Sequence, residues 1–230
     1  MTPLVLLPGM MCDARLFAPQ IAAFSAERVV HFAPFVGDQI KAIAAQILSQ
    51  APPKFALAGL SMGGIVAMEV LRQAPERVER IALLDTNPLA ESDKVKAMRE
   101  PQIAKVQAGG LATVMRDEMK PNYLTDGPRR AEILNLCMDM ADAVGPEGFV
   151  AQSRALQTRP DQSATLQNCD VPALILCGRE DALCPIHRHE LMHSLMPQST
   201  MHIVENAGHL PTLEQPDETT AALSRWLEAK

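Results

Sequence analysis

Short apolar runs alternate along this chain with stretches of helical period, and no other feature constrains the fold as much. The candidate strands are residues 4–7, 29–32, 55–58, 81–84, 173–177 and 201–204. The candidate helices lie near residues 14–24, 39–50, 63–73, 186–196 and 218–228. Runs this short and this uniformly apolar suit strands covered on both faces. Strands that alternate with helices join as parallel βα units. The expectation is a mostly parallel six-stranded sheet with helices on both faces.

The alternation breaks once. From Asn87 to about Gln167 no strand candidate occurs, and a helical period is interrupted by Pro101, Gly109-Gly110, Pro121, Asp126-Gly127-Pro128 and Gly145-Pro146. The βα pattern resumes at Val171-Pro172. This divides the chain into a core of residues 1–86 and 168–230 and an inserted helical cap of residues 87–167. The cap is expected over the carboxyl ends of the strands, where open α/β sheets bind ligands.

The most specific local pattern is Gly59-Leu60-Ser61-Met62-Gly63, a G-x-S-x-G between the strand that starts at Phe55 and the helix that follows. A serine at a sharp strand-to-helix bend is exposed at its apex, and flanking glycines relieve the crowding there. The helix start then aims free N–H groups and a positive dipole end at a developing oxyanion. A serine hydroxyl needs a base to take its proton. Two further residues on the same strand edge complete the set: Asp181, in Gly178-Arg179-Glu180-Asp181, and His209, in Asn206-Ala207-Gly208-His209. His209 would act as base and then acid, and Asp181 would fix its tautomer. Taken singly, such residues are ordinary loop groups; it is their joint order and common edge that carry the reading. Glu180 and Asp85 are rival acids; Asp85 otherwise serves to anchor the Asp85-Thr86-Asn87 turn. The backbone N–H groups of Met62 and of Met10, in Leu7-Pro8-Gly9-Met10, are the candidate oxyanion donors.

Together these residues resemble the α/β-hydrolase superfamily, and most of all small bacterial carboxylesterases and pimeloyl-carrier-protein methyl esterases. The likeness covers nearly the whole chain. It implies the α/β-hydrolase fold, no cofactor, no metal, the triad Ser61–Asp181–His209, and Met10 and Met62 around the oxyanion. The implied reaction is hydrolysis of a small carboxylic ester through an acyl-enzyme. A thioester, a carrier-bound methyl ester or a C–C bond would use the same groups, and a non-catalytic ligand receptor is the reading from another class. The chain departs from the family pattern in several places. Pro8 stands where a histidine is common, and the loop 33–38 lacks a His-Gly-x-Ser run. The two strands that usually precede the first candidate are not found.

Composition narrows the partners. A net charge of −6, with no Lys/Arg run longer than Arg129-Arg130, argues against a nucleic-acid partner. No apolar run is long enough for a membrane span, and the apolar start, interrupted by Pro8-Gly9, does not read as a signal peptide. Five cysteines, an odd number without C-x-x-C spacing, suggest reduced thiols in the cytoplasm. The expected partner is a small-molecule ester, and the expected assembly a monomer or homodimer. One motif points elsewhere: His189-Glu190-Leu191-Met192-His193 matches H-E-x-x-H, which in zinc peptidases puts two imidazoles on one helix face. No third ligand follows at a recognised spacing, and a solvated surface helix after Pro185 is the preferred reading. Met10, Met11 and Met62, with Met98, Met115, Met119, Met138 and Met140 of the cap, are expected mainly in core packing, with an adaptable acyl pocket as the alternative. Arg99, Arg116, Arg129, Arg130, Arg154 and Arg159 form either a solvated face or a surface for an anionic substrate.

Overall fold

In the computed structural model, which describes residues 1–229, six parallel strands form one sheet in the order β2-β1-β3-β4-β5-β6. The strands are β1 (Leu4–Leu7), β2 (Val30–Phe32), β3 (Phe55–Leu60), β4 (Val78–Leu84), β5 (Ala173–Gly178) and β6 (Thr200–Val204). Every strand pair among the described residues is parallel. The order reverses at β1, which lies between β2 and β3. That places a crevice at the carboxyl ends of β1 and β3, where sheets of this kind take their ligands.

Alternation along each strand builds two cores. Val5, Leu7, Phe55, Leu57, Ile81, Leu83 and Ile175 face one layer. Leu4, Leu6, Ala56, Ala58, Leu60, Ala82, Leu84, Leu174 and Leu176 face the other. The first layer packs against α2 (Ile40–Gln50), α3 (Met62–Gln73) and α8 (Ile186–Leu195); the second packs against α1 (Ala18–Phe24) and α10 (Pro216–Glu228). Each fully buried Leu or Ile contributes about 1.5–3 kcal/mol. Helix α10 shows how local sequence sets the packing. Thr219, Ala222, Leu223, Trp226 and Leu227 recur at helical spacing and are buried, and Pro216, Asp217 and Glu218 form a favourable first turn. Helix α3 is different: it is buried almost all round, because it lies between the sheet and its neighbours.

Between β4 and β5 the regular structure of the described residues is all helical. It forms α4 (Asp93–Gln107), α5 (Leu111–Thr113), a π-helical stretch (Val114–Met119), a 3₁₀ turn (Lys120–Asn122), α6 (Arg130–Gln157) and α7 (Ser163–Gln167). Gly145, at φ 77 and ψ 173, breaks α6 into two helices. This segment meets loops at the carboxyl edge of the sheet: Gln152 Oε1 accepts from Met11 N, and Tyr123 O accepts from His209 N.

The elements differ from expectation mostly at their ends. The helix expected over residues 14–24 is a 3₁₀ turn, Ala14–Phe17, capped by Asp13 and followed by α1; Pro19 in the first turn of α1 has no N–H to carry a helix through. A short helix, α9 (Pro211–Glu214), follows His209. Among the described residues no helix is long and apolar enough to cross a membrane.

Candidate active site

Ser61 stands alone between β3 and α3, at φ 56 and ψ −115. A non-glycine residue there carries about 1–3 kcal/mol of strain, so its surroundings must hold it. Ser61 N donates to Leu84 O at 2.8 Å, and its carbonyl accepts from Gly64 N at 3.0 Å and from Thr86 Oγ1 at 2.7 Å. The glycines answer to close approach. A Cβ on Gly59 would lie 2.2 Å from Gly63 O, and one on Gly63 would lie 2.1 Å from Leu7 O. The bend therefore exists only if β1, β3 and α3 touch through bare backbone.

From the loops after β5 and β6 the structure brings the other two predicted residues to Ser61. His209 Nε2 lies 2.9 Å from Ser61 Oγ, and His209 Nδ1 lies 2.8 Å from Asp181 Oδ2. Asp181 Oδ1 accepts from Leu183 N at 2.8 Å and Cys184 N at 2.9 Å. Burial alone would push the Asp181 carboxyl up. The charge and hydrogen bond of His209, with the two backbone donors, outweigh it and hold the group below the ordinary carboxylate range. Asp181 and His209 are 4% and 3% exposed, so the pair works in low dielectric.

The loop after β1 lies against the serine. A Cβ on Gly9 would sit 3.6 Å from Ser61 Cβ. The backbone N–H of Met10 follows directly, and among the described residues neither Met10 N nor Met62 N has a hydrogen-bond partner outside regular structure. The rival Glu180 is exposed and lines a surface depression with Asn206 and Glu214. Asp85 is fully buried, at φ 43, and its Oδ1 accepts from Gly178 N at 2.9 Å.

The H-E-x-x-H helix requires a correction. The expected solvated helix α8 buries His189 completely. Its Nε2 accepts from Thr86 N at 3.2 Å, while His193 Nδ1 pairs with Ser199 Oγ at 2.7 Å. The two imidazoles are thus committed to different partners. Burial, the largest effect, pushes the His189 imidazole down to about 4, so it is neutral and serves as an acceptor for the turn after β4.

Several residues that shape the site carry no motif. Tyr123 packs edge-on against the His209 ring at 5.6 Å. Glu214 accepts from Gly208 N, Leu210 N and Thr125 N, tying the His209 loop to the helical segment. Gln152 holds the backbone of Met11, itself at φ 57. Of the six arginines, Arg99 and Arg159 converge on the buried Glu91, at 2.7 and 3.5 Å. Arg116, Arg129 and Arg154 make exposed pairs. Only the capping relation of Glu214, three residues after Pro211 and inside a short helix, left a local trace in sequence.

A parallel sheet with a strained serine at a strand–helix bend, beside an imidazole and a carboxylate on later strand ends, defines a class of hydrolase folds. The alpha/beta hydrolase family model matches residues 4–223, and the chain belongs to that family. It is 24% identical to a pimeloyl-[acyl-carrier protein] methyl ester esterase of Aliivibrio salmonicida (strain LFI1238), over 98% of this chain and 92% of the relative. It is 28% identical to an enzyme of the same description from Klebsiella pneumoniae subsp. pneumoniae, over 93% and 88%. A solved thermophilic esterase from Thermogutta terrifontis superposes with a TM-score of 0.89 at 28% identity, covering 99% of this chain and 89% of that one.

Proposed function

We propose that this protein is a serine esterase that cleaves a carboxylic ester through an acyl-enzyme. The unbroken run Ser61 Oγ–His209 Nε2, 2.9 Å, and His209 Nδ1–Asp181 Oδ2, 2.8 Å, carries the reading. His209 takes the serine proton as Ser61 attacks the ester carbonyl, then gives it to the leaving alkoxide. Asp181 holds the Nδ1–H tautomer and stabilises the imidazolium. The tetrahedral oxyanion is received by the N–H groups of Met62 and Met10, at the start of α3 and on the loop against Ser61. Water activated by His209 releases the acid. Residues 87–167 act as a cap that shapes the acyl pocket, through Tyr123 and the residues near Met10. The five free, buried cysteines suit a reducing cytoplasm.

The relatives' names favour one substrate type within this reading, a methyl ester at the end of a carrier-bound acyl chain. A fluorophosphonate probe should modify Ser61 in the folded protein. Turnover of p-nitrophenyl esters should fall by about 10⁴-fold or more in Ser61→Ala. Full labelling and activity in Ser61→Ala would overturn the assignment. Hydrolysis of a carrier-bound methyl ester, against free short-chain esters, decides the substrate.

A further inference from the structure

Asp85 is a second carboxyl in the site, unused by the reaction as described. It follows β4, where its backbone N donates to Leu176 O at 2.9 Å. Its side chain is 0% exposed, and Oδ1 has one donor, Gly178 N. Oδ2 is buried with no donor among the described residues. Oδ1 is anchored on Gly178 N, and Gly178 O in turn accepts from Asp181 N, so one glycine joins both residues; burial, with the Asp181 charge next, raises the Asp85 carboxyl. The charged groups acting on it are Asp181 and Glu214, both acids. The other titratable groups around the pair are the Cys177 and Cys184 thiols, both pushed up by burial, the neutral His189, and His209 on the far side of Asp181.

Two carboxyls buried side by side at the ends of neighbouring strands resist double ionisation, so one proton stays on the pair. The hydrogen bonds decide where it resides. Asp181 has three donors: Leu183 N, Cys184 N and His209 Nδ1. Each of these favours its ionised form. Asp85 has one, and its orphaned Oδ2 is satisfied as soon as it carries a hydrogen.

Resting on the esterase reading, we propose that Asp85 is a positioning residue, held as a neutral acid whose Oδ2–H donates to the carboxylate of Asp181. The bond gives Asp181 a fourth donor. It aims the carboxylate at His209 and keeps the buried pair at a single negative charge. The strained φ of Asp85 is the local cost of reaching Asp181 from the neighbouring strand.

The test uses the full chain with Asp85→Asn and Asp85→Leu. Asparagine copies the neutral acid: its carbonyl accepts from Gly178 N and its NH₂ donates to Asp181. Asp85→Asn should keep kcat/KM within about 3-fold, with the acid limb of the pH–rate profile unmoved. Asp85→Leu should lower kcat about 10–100-fold with little change in KM, as loss of an outer-shell partner does. Were Asp85 ionised, Asn would remove a negative charge near His209. The limb would then move to lower pH, and that result overturns the proposal.

Two readouts do not depend on turnover. The infrared difference between wild type and Asp85→Asn at neutral pH should contain the C=O stretch of a protonated buried carboxyl; its absence overturns the proposal. Stability gives the sign again. Burial, with Asp181 next, raises the folded Asp85 group well above the usual carboxylate range. Its contribution is therefore fully present below the unfolded value, about 3.9, and is lost as pH rises toward the folded value. The advantage of Asp85→Asn over wild type in denaturation midpoint should grow as pH rises above that value. A constant difference overturns the proposal. If the infrared band is present but Ser61 carries no esterase activity, the functional reading fails and the Asp85–Asp181 pair stands.

Discussion

The strand ends around Ser61 and the helical segment between β4 and β5 are held together by different means. Around Ser61 backbone meets backbone: a methyl on Gly59 or Gly63 would lie 2.2 or 2.1 Å from a carbonyl oxygen. In the helical segment side chains make the contacts: buried apolar groups such as Ile103, Val114, Met115 and Phe149, and long polar ones. Arg99 and Arg159 reach Glu91, Gln162 reaches Glu69, Gln157 reaches Lys96 O, and Lys105 reaches Glu118. Its tightest glycine, Gly148, would meet only the side chain of Val144, at 2.5 Å, and Gly109 and Gly145 are set by their positive φ rather than by close neighbours. The first region admits almost no alternative side chain. The second relies more on side chains, which can be exchanged without moving a strand.

The sharpest way to break that contrast is Gly63→Ala. The methyl meets Leu7 C and O and Pro8 O, none of which can swing aside, so β1 or α3 must shift. The expected loss is about 3 kcal/mol, the upper part of the range for overpacking. That lowers Tm by roughly 6–12 °C for a chain of this size. Activity should fall further than stability accounts for, since the same shift moves Met10 and its N–H away from Ser61. A variant with unchanged Tm and turnover would show that the strand ends have slack despite these backbone contacts.

The same contrast explains what could be read from sequence. The six strands and the bend at Ser61 follow from period and glycine spacing, which are short-range signals, and the loops holding Asp181 and His209 from their place after later strands. The helical character of 87–167 was legible too, from its period and its Pro and Gly breaks. Its contacts were not. Nothing near Gln152 announces that it will bind Met11 N, 141 residues away. Nothing near Tyr123 announces His209. The H-E-x-x-H motif misled about exposure for the same reason. Helix α8 has weak amphipathic pattern, and tertiary packing alone decides that His189 turns inward to Thr86 N. Asp85 was visible as a residue at a strand end, but its place beside Asp181 depends on β4 and β5 being adjacent, with Leu84 beside Leu176.

Gln152→Ala tests the joint between the two regions. Gln152 is 4% exposed and its Oε1 is the acceptor for Met11 N at 2.8 Å. Removing it leaves a buried N–H unpaired, at about 1–3 kcal/mol. Met11 is the residue after Met10 and sits at positive φ, so loosening it frees the loop after β1 that lies against Ser61. The expected signature is a lower kcat with a smaller change in KM, measured on a p-nitrophenyl ester. A pure stability loss with intact kcat would mean that the helical segment covers the site without helping to set its geometry.

Lys105→Ala probes the opposite limit. Lys105 Nζ lies 2.6 Å from Glu118 Oε1, but the two side chains are 57% and 30% exposed. Water screens the pair, and holding two long side chains in one geometry offsets much of the attraction, leaving about 0–1 kcal/mol. Alanine also has the better helix propensity at a solvent-facing position of α4. Glu118 keeps a second partner, Gln102 Nε2 at 3.2 Å. The stability should therefore change by less than about 0.5 kcal/mol, and the part of the difference between variant and wild type that comes from the ion pair should shrink as salt is raised. A much larger, salt-insensitive loss would mean that the helical segment is specified at its surface as tightly as the strand ends are by their glycines, and the contrast between the two regions would narrow to one of chemistry alone.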